Sequence, residues 1–137
     1  PGEVDELAQI AGGRFKMHPA FNRYHVVPTG EPHPVLSGIE PFVIDDEMHQ
    51  VFVSPLPGCT PLLWCVNDEG RRPVESAVPE QDIFAKNSGA LVDFAWCHEY
   101  GAGRVAYAAP GHGTATFENP MYRRFLVNCA RWLINAS

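Results

Sequence analysis

Leu91-Val92-Asp93-Phe94-Ala95-Trp96-Cys97, then Tyr100-Gly101-Ala102-Gly103, then Arg104-Val105-Ala106-Tyr107-Ala108-Ala109, and finally Pro110-Gly111-His112-Gly113 follow one another with only His98 and Glu99 intervening. In the first run Val92, Phe94 and Trp96 alternate with Asp93 and Ala95, and the glycine-rich stretch turns the chain into a second apolar run. The pattern predicts a β-hairpin, with His98 and Glu99 exposed on its turn. Where the second strand ends, His112 stands between two glycines. Ligands collect at the carboxyl ends of strands in open α/β sheets, and flanking glycines let a ligand approach the backbone. His112 therefore suits a general base, a substrate donor or a metal ligand, the ordinary alternative being a histidine that caps a turn.

Downstream, Asn119-Pro120 is a helix start, because asparagine caps free amides and proline at the first position has no amide to lose. Tyr122, Phe125, Leu126, Cys129 and Leu133 then make one apolar stripe. Upstream, Pro61 to Val66 reads as a strand buried on both faces, with a turn at Asn67-Asp68-Glu69-Gly70. Val74 to Gly89 reads as a surface excursion. Phe42-Val43-Ile44 and Gln50 to Val53 are short extended runs around the acidic turn Asp45-Asp46-Glu47. Tyr24 to Val27 is a strand ended by Pro28, and the proline- and glycine-rich segment to Gly38 is a loop carrying His33. Glu3 to Ile10 makes a short helix that Gly12-Gly13 terminates. Strands with one strong C-terminal helix, and two apolar runs that need cover on both faces, predict an α/β sandwich. Two readable helices are too few to cover both faces, so the chain reads as part of a layered domain.

The 137 residues are 45% hydrophobic and 19% charged, enough for one domain with a core. Ten Lys plus Arg against 16 Asp plus Glu give a net charge of -6, which argues against nucleic acid as the partner. No apolar run approaches the roughly 20 residues of a membrane helix. No signal peptide is visible, and a start at Pro1 points to trimming or a fragment. The four cysteines show no two-residue spacing, and Cys65, Cys97 and Cys129 lie in apolar segments, which predicts reduced buried thiols and a cytoplasmic setting.

Asp46 and Glu47, with Asp45 beside them and His49 two positions on, form a second candidate cluster. Paired carboxylates can divide acid and base roles or hold a divalent cation, although composition favours a solvated acidic turn. His18, held out of helical geometry by Pro19, is a weaker candidate. His18, Glu47, His49 and His112 are ligand types for zinc or manganese without an identifying spacing. A Cys97–His98 nucleophile is disfavoured, because adjacent strand residues face opposite ways.

Taken in order, Gly12-Gly13-Arg14-Phe15 with His18-Pro19, His33-Pro34 through Gly38-Ile39, Asp46-Glu47, Tyr100-Gly101 through Gly103-Arg104-Val105, Gly111-His112, and Asn119-Pro120 ending in Arg131-Trp132 resemble the trehalose-utilisation, or ThuA-like, family. The resemblance runs from about Gly12 to Leu133. It implies a flavodoxin-like α/β sandwich of the class I glutamine amidotransferase-like superfamily, with a parallel sheet between helices. It also implies that this is the C-terminal portion of that domain, without its N-terminal strands. His112 stands where the amidotransferase triad has its histidine, but the family generally lacks the cysteine nucleophile. Asp46, Glu47, His112 and, less directly, His18 match family motif positions, while His49 replaces a common tyrosine.

Together these readings predict a protein that acts on or binds a sugar such as trehalose or an oxidised derivative, a hydrolase or lyase. Glu47 and His112 would be the acid/base groups and Asp46 would orient one of them. His18, His49, Gly111 and Gly113 would contact substrate, and His18, Glu47 and His112 would hold any divalent metal. A non-catalytic sugar-binding or scaffolding module and an amide hydrolase are the rival readings. A homo-oligomer, or association with the N-terminal portion, would cover an exposed sheet edge.

Overall fold

The structure, a computed structural model, describes residues 2–13, 15–17, 22–47, 50–51, 57–66 and 91–135. Strands β6 (Leu91–Tyr100) and β7 (Gly103–Ala108) form the expected antiparallel hairpin, with Trp96 opposite Tyr107 and Tyr100 opposite Gly103. The Trp96 and Tyr107 rings stack at 4.3 Å and 14°, which ties the two strands on one face. Two residues suffice for the turn, so His98 and Glu99 belong to β6 and not to the turn where the sequence placed them.

The remaining strands add outward from this hairpin. Strand β5 (Thr60–Val66) pairs with β6, β2 (Asn22–Pro28) with β5, and β3 (Phe42–Asp46) with β2, giving the order β3-β2-β5-β6-β7. Every pairing in this sheet is antiparallel, where the resemblance implied parallel strands. The β5–β6 register slips between Pro61 and Leu63 and again between Leu63 and Trp64, and such bulges increase local twist. Strands β1 (Phe15–Met17) and β4 (Gln50–Val51) form a separate antiparallel pair. The readings at Asn67 to Gly70 and Val74 to Gly89 fall outside the described residues.

Asp45 and Asp46 correct the acidic-turn reading, since both lie in β3 and Asp46 is 1% exposed. Alternation along the strand separates them. Asp45 turns to the outer face, where Arg23 donates to its carboxylate at 2.9 and 3.1 Å. That hydrogen bond holds the Asp45 carboxyl below the usual carboxylate range. Asp46 turns inward with Ile44.

Helices α2 (Thr114–Glu118) and α3 (Pro120–Ile134) follow the hairpin. Asn119 Oδ1 accepts the Met121 and Tyr122 amides at 2.9 and 3.1 Å, as expected of a cap. Its Nδ2 donates to the Val43 carbonyl at 2.9 Å, so the same side chain fastens α3 to the β3 edge of the sheet. Tyr122, Phe125 and Cys129 of the predicted stripe are buried against Val26, Leu63, Cys65 and Cys97, whereas Leu133 is exposed. The four cysteines lie outside disulfide bonds, and Cys65, Cys97 and Cys129 are buried. No helix among the described residues is long and apolar enough to cross a membrane.

The opposite sheet face carries α1 (Gly2–Ala11) at its β6–β7 end. Trp96 Nε1 donates to the Ala11 carbonyl at 2.8 Å, and His98 Nε2 lies 2.9 Å from the Ile10 carbonyl, so sheet side chains meet carbonyls that the helix end leaves unpaired. Gly12 ends α1 at φ +77°, its amide bonded to Ala8 O at 2.9 Å. A Cβ there would fall 2.5 Å from Trp96 Nε1, which accounts for the glycine.

His33 lies between the sheet and α3. Its Nδ1 accepts the Val35 amide at 3.3 Å, Nε2 is 3.5 Å from Cys97 Sγ, and its ring meets Trp132 edge-on at 5.1 Å. Burial first, then the Arg104 charge, pushes the imidazole below its ordinary value of 6.5. The unfolded chain therefore binds this proton more readily than the folded one. The resulting stability is complete above the ordinary histidine range and is lost as pH falls through it toward the folded value. In urea unfolding followed from pH 7.5 to 5, His33→Asn, which can still accept the Val35 amide, should flatten the acid-side decline. An unchanged slope would assign that decline elsewhere.

Candidate acid/base site

The site forms where β3 ends and the chain leaves β7. These strands are the two ends of the sheet order, so residues 109–113 must cross the end of the sheet to meet Asp46. The crossing is secured where it leaves β7. Ala109 donates its amide to Phe94 O at 3.0 Å, and the Tyr122 hydroxyl donates to Pro110 O at 2.9 Å. Burial, with Asp46 nearby, pushes the Tyr122 phenol well above its ordinary range, so it stays a donor.

Asp46 is the anchor. One carboxylate oxygen accepts the Gly111 amide at 2.9 Å and the Thr116 hydroxyl, and the other accepts the Glu47 amide at 2.7 Å and the His112 amide at 3.3 Å. Four donors converge on one buried anion, the arrangement that makes carboxylate burial tolerable. Thr116 Oγ1 also lies 3.3 Å from Asp45 O. The sequence reading missed Thr116 and Tyr122 as site residues. Asn119-Pro120, which begins the helix carrying Tyr122, was the nearest signal.

With both backbones fixed, Glu47 Oε2 and His112 Nδ1 meet at 3.0 Å, the carboxylate 12% and the imidazole 62% exposed. An ionised Glu47 selects the tautomer with a proton on Nδ1, which leaves the Nε2 lone pair of the neutral ring to act as the base. The carboxylate also stabilises the imidazolium once a proton arrives. This carboxylate–histidine geometry is used both for general base catalysis and for orienting a histidine toward a metal.

Of the predicted site residues, the structure thus brings Glu47, Asp46, His112 and Gly111 together. Gly113 starts α2. His18 and His49 lie outside the described residues, and no group of three metal-ligating side chains forms among those described. Cys97 and His98 point to opposite faces, toward His33 and α1 respectively. Burial pushes the Cys97 thiol up to about 11 and Cys129 up to about 12, so neither supplies a thiolate near neutral pH.

A family model described as ThuA, trehalose utilisation, matches residues 4–133. Among curated proteins none matches the sequence. The fold is similar to that of a ThuA-like protein from Bacteroides uniformis, at TM-score 0.76 and 20% identity over 98% of this chain and 53% of that one. It is also similar to a ThuA-like protein from Parabacteroides merdae, at TM-score 0.56 and 19% identity over 92% of this chain and 42% of that one. The chain thus spans about half the length of these structures.

Proposed function

The chain belongs to the ThuA, or trehalose-utilisation, family, and from that premise we propose that it acts on a sugar such as trehalose or an oxidised derivative by acid/base chemistry at Glu47 and His112. The 3.0 Å contact between Glu47 Oε2 and His112 Nδ1 carries this reading. His112 Nε2 takes a proton either from a water that attacks the anomeric carbon or from a carbon beside a carbonyl of an oxidised sugar, Glu47 holds the resulting imidazolium, and the proton passes to the sugar oxygen that leaves as its C–O bond breaks, which completes hydrolysis or elimination. Asp46, shielded beneath the loop, acts as a positioning residue. His18, His49, Gly111 and Gly113 contribute to substrate contact.

A divalent cation such as zinc or manganese, held by His112 with His18 and Glu47, would polarise a sugar oxygen in the same place. Metal analysis of the purified full polypeptide tests this. Stoichiometric zinc or manganese, with activity lost to a chelator and restored by that ion, is the expected result; full activity in metal-free protein would remove the metal from the proposal.

The same reading treats this unit as the C-terminal part of a layered α/β domain of the glutamine amidotransferase-like superfamily. What supports it is β7. It contacts α1 and α3, whose partners on β6 lie on opposite faces, and among the described residues it pairs on one side only. A second copy or the remaining portion of the longer fold would complete that edge. Four cysteines outside disulfide bonds suit a cytoplasmic location.

The test is incubation of the full polypeptide with trehalose, maltose and their keto derivatives, with products followed by mass spectrometry. Product formation supports the enzymatic reading. Binding without turnover would leave a sugar-binding module, and hydrolysis of glutamine in place of sugars would move the protein to the amide hydrolases.

A further inference from the structure

Phe117 follows Thr116, whose hydroxyl is bonded to buried Asp46, yet Phe117 itself is 43% exposed. Its ring lies against the backbone of Gly111, the residue before His112. A Cβ on Gly111 would come within 3.1 Å of Phe117 Cζ, and Gly111 has φ +149°, a conformation that L side chains rarely adopt. The ring is also supported by Tyr122, with centroids 6.2 Å apart and planes at 51°. Tyr122 is itself buried and bonded to Pro110. The Arg123 guanidinium bonds the Phe117 carbonyl. The ring is therefore held by the loop that presents His112 and by the tyrosine that anchors this loop, while much of its surface remains open to solvent.

We propose that Phe117 is a stacking platform for the apolar C–H face of a pyranose ring, placed so that the polar edge of the same sugar reaches His112. The proposal rests on the sugar reading of the Glu47–His112 pair and names how that site would hold its substrate. Two ionisable groups alone hold a hydroxyl without fixing the ring that bears it. A pyranose presents several C–H bonds on one face, and these carry slight positive charge toward the negative face of an aromatic ring. Bringing the faces together also releases water from two apolar surfaces. A small apolar wall beside a few convergent polar groups is the usual composition of a small-molecule site, and Phe117 supplies that wall within the same locked unit as the histidine.

The experiment uses the full polypeptide titrated with trehalose, maltose and their keto derivatives, read by calorimetry and by saturation-transfer NMR. Transfer should be strongest to the C–H protons of one ring face. Phe117→Leu, which stays apolar but removes the aromatic face, should weaken binding about tenfold. Phe117→Trp should retain wild-type binding, which separates stacking from any general loss of folding. His112→Ala should lower turnover about 10²–10⁴-fold while still binding sugar. Equal binding by wild type and Phe117→Leu, or loss of binding in Phe117→Trp when its thermal midpoint is unchanged, would overturn the proposal and leave the acid/base reading standing. Failure of the folded wild type to bind any of trehalose, maltose or their keto derivatives would overturn both.

Discussion

Asp46→Ala should destabilise the protein by about 2–4 kcal/mol, because buried donors left without a partner cost roughly 1–3 kcal/mol each. The four donors are not equivalent. Gly111 and His112 are exposed, so water can reach their amides once the carboxylate is gone. Thr116 is 1% exposed, and without Asp46 its hydroxyl keeps only the longer 3.3 Å bond to Asp45 O. Asp46→Asn separates the pairing pattern from volume. Its amide keeps one acceptor oxygen but presents hydrogens to the other pair of donors, so it should lose about half as much. Denaturant midpoints measure both variants. The same substitutions should lower turnover further than their stability loss explains, since they release the amides that fix His112 opposite Glu47. An Asp46→Ala protein as stable and as active as wild type would show that the loop is held by other means.

His112→Ala should reduce turnover of a processed sugar by about 10²–10⁴-fold, the usual contribution of a positioned general acid or base. Stability should change by no more than about 0.5 kcal/mol, as for other exposed positions outside buried networks. This pattern is opposite to that of Asp46→Ala, because His112→Ala removes the proposed base and Asp46→Ala removes its support. Glu47→Gln should fall in the same direction as His112→Ala, because an amide can present its NH₂ to Nδ1 and favour the wrong tautomer. Unchanged turnover in His112→Ala would remove His112 from the chemistry, and unchanged turnover in Glu47→Gln would reduce Glu47 to a neighbour.

How much of this was legible in the residues depends on the range of the interaction. The β6–β7 hairpin was readable because alternation and a glycine-containing turn act within twenty residues. So were the Asn119 cap and the Gly12-Gly13 stop, where backbone amides and carbonyls are met by near neighbours. The strand placement of His98 was not readable, since a turn rich in glycine does not reveal which residues it uses. Asp46 was harder still. Aspartate is mostly exposed, and its burial here depends on four donors, three of them from Gly111, His112 and Thr116, more than sixty positions away.

By itself, then, the sequence determined the local pieces: the helix ends, the strand pattern, the net acidic charge, and the residue types Asp46, Glu47 and His112 that suit proton transfer. The tertiary structure alone decided which of these carboxylates meets the histidine. Alternation along β3 sends Asp45 outward to Arg23 and Asp46 inward to the crossing loop, and the next residue, Glu47, is left at the strand end within 3.0 Å of His112. Periodicity assigns opposite faces to neighbouring residues, but only the packed sheet and the loop crossing its end determine what lies on each face.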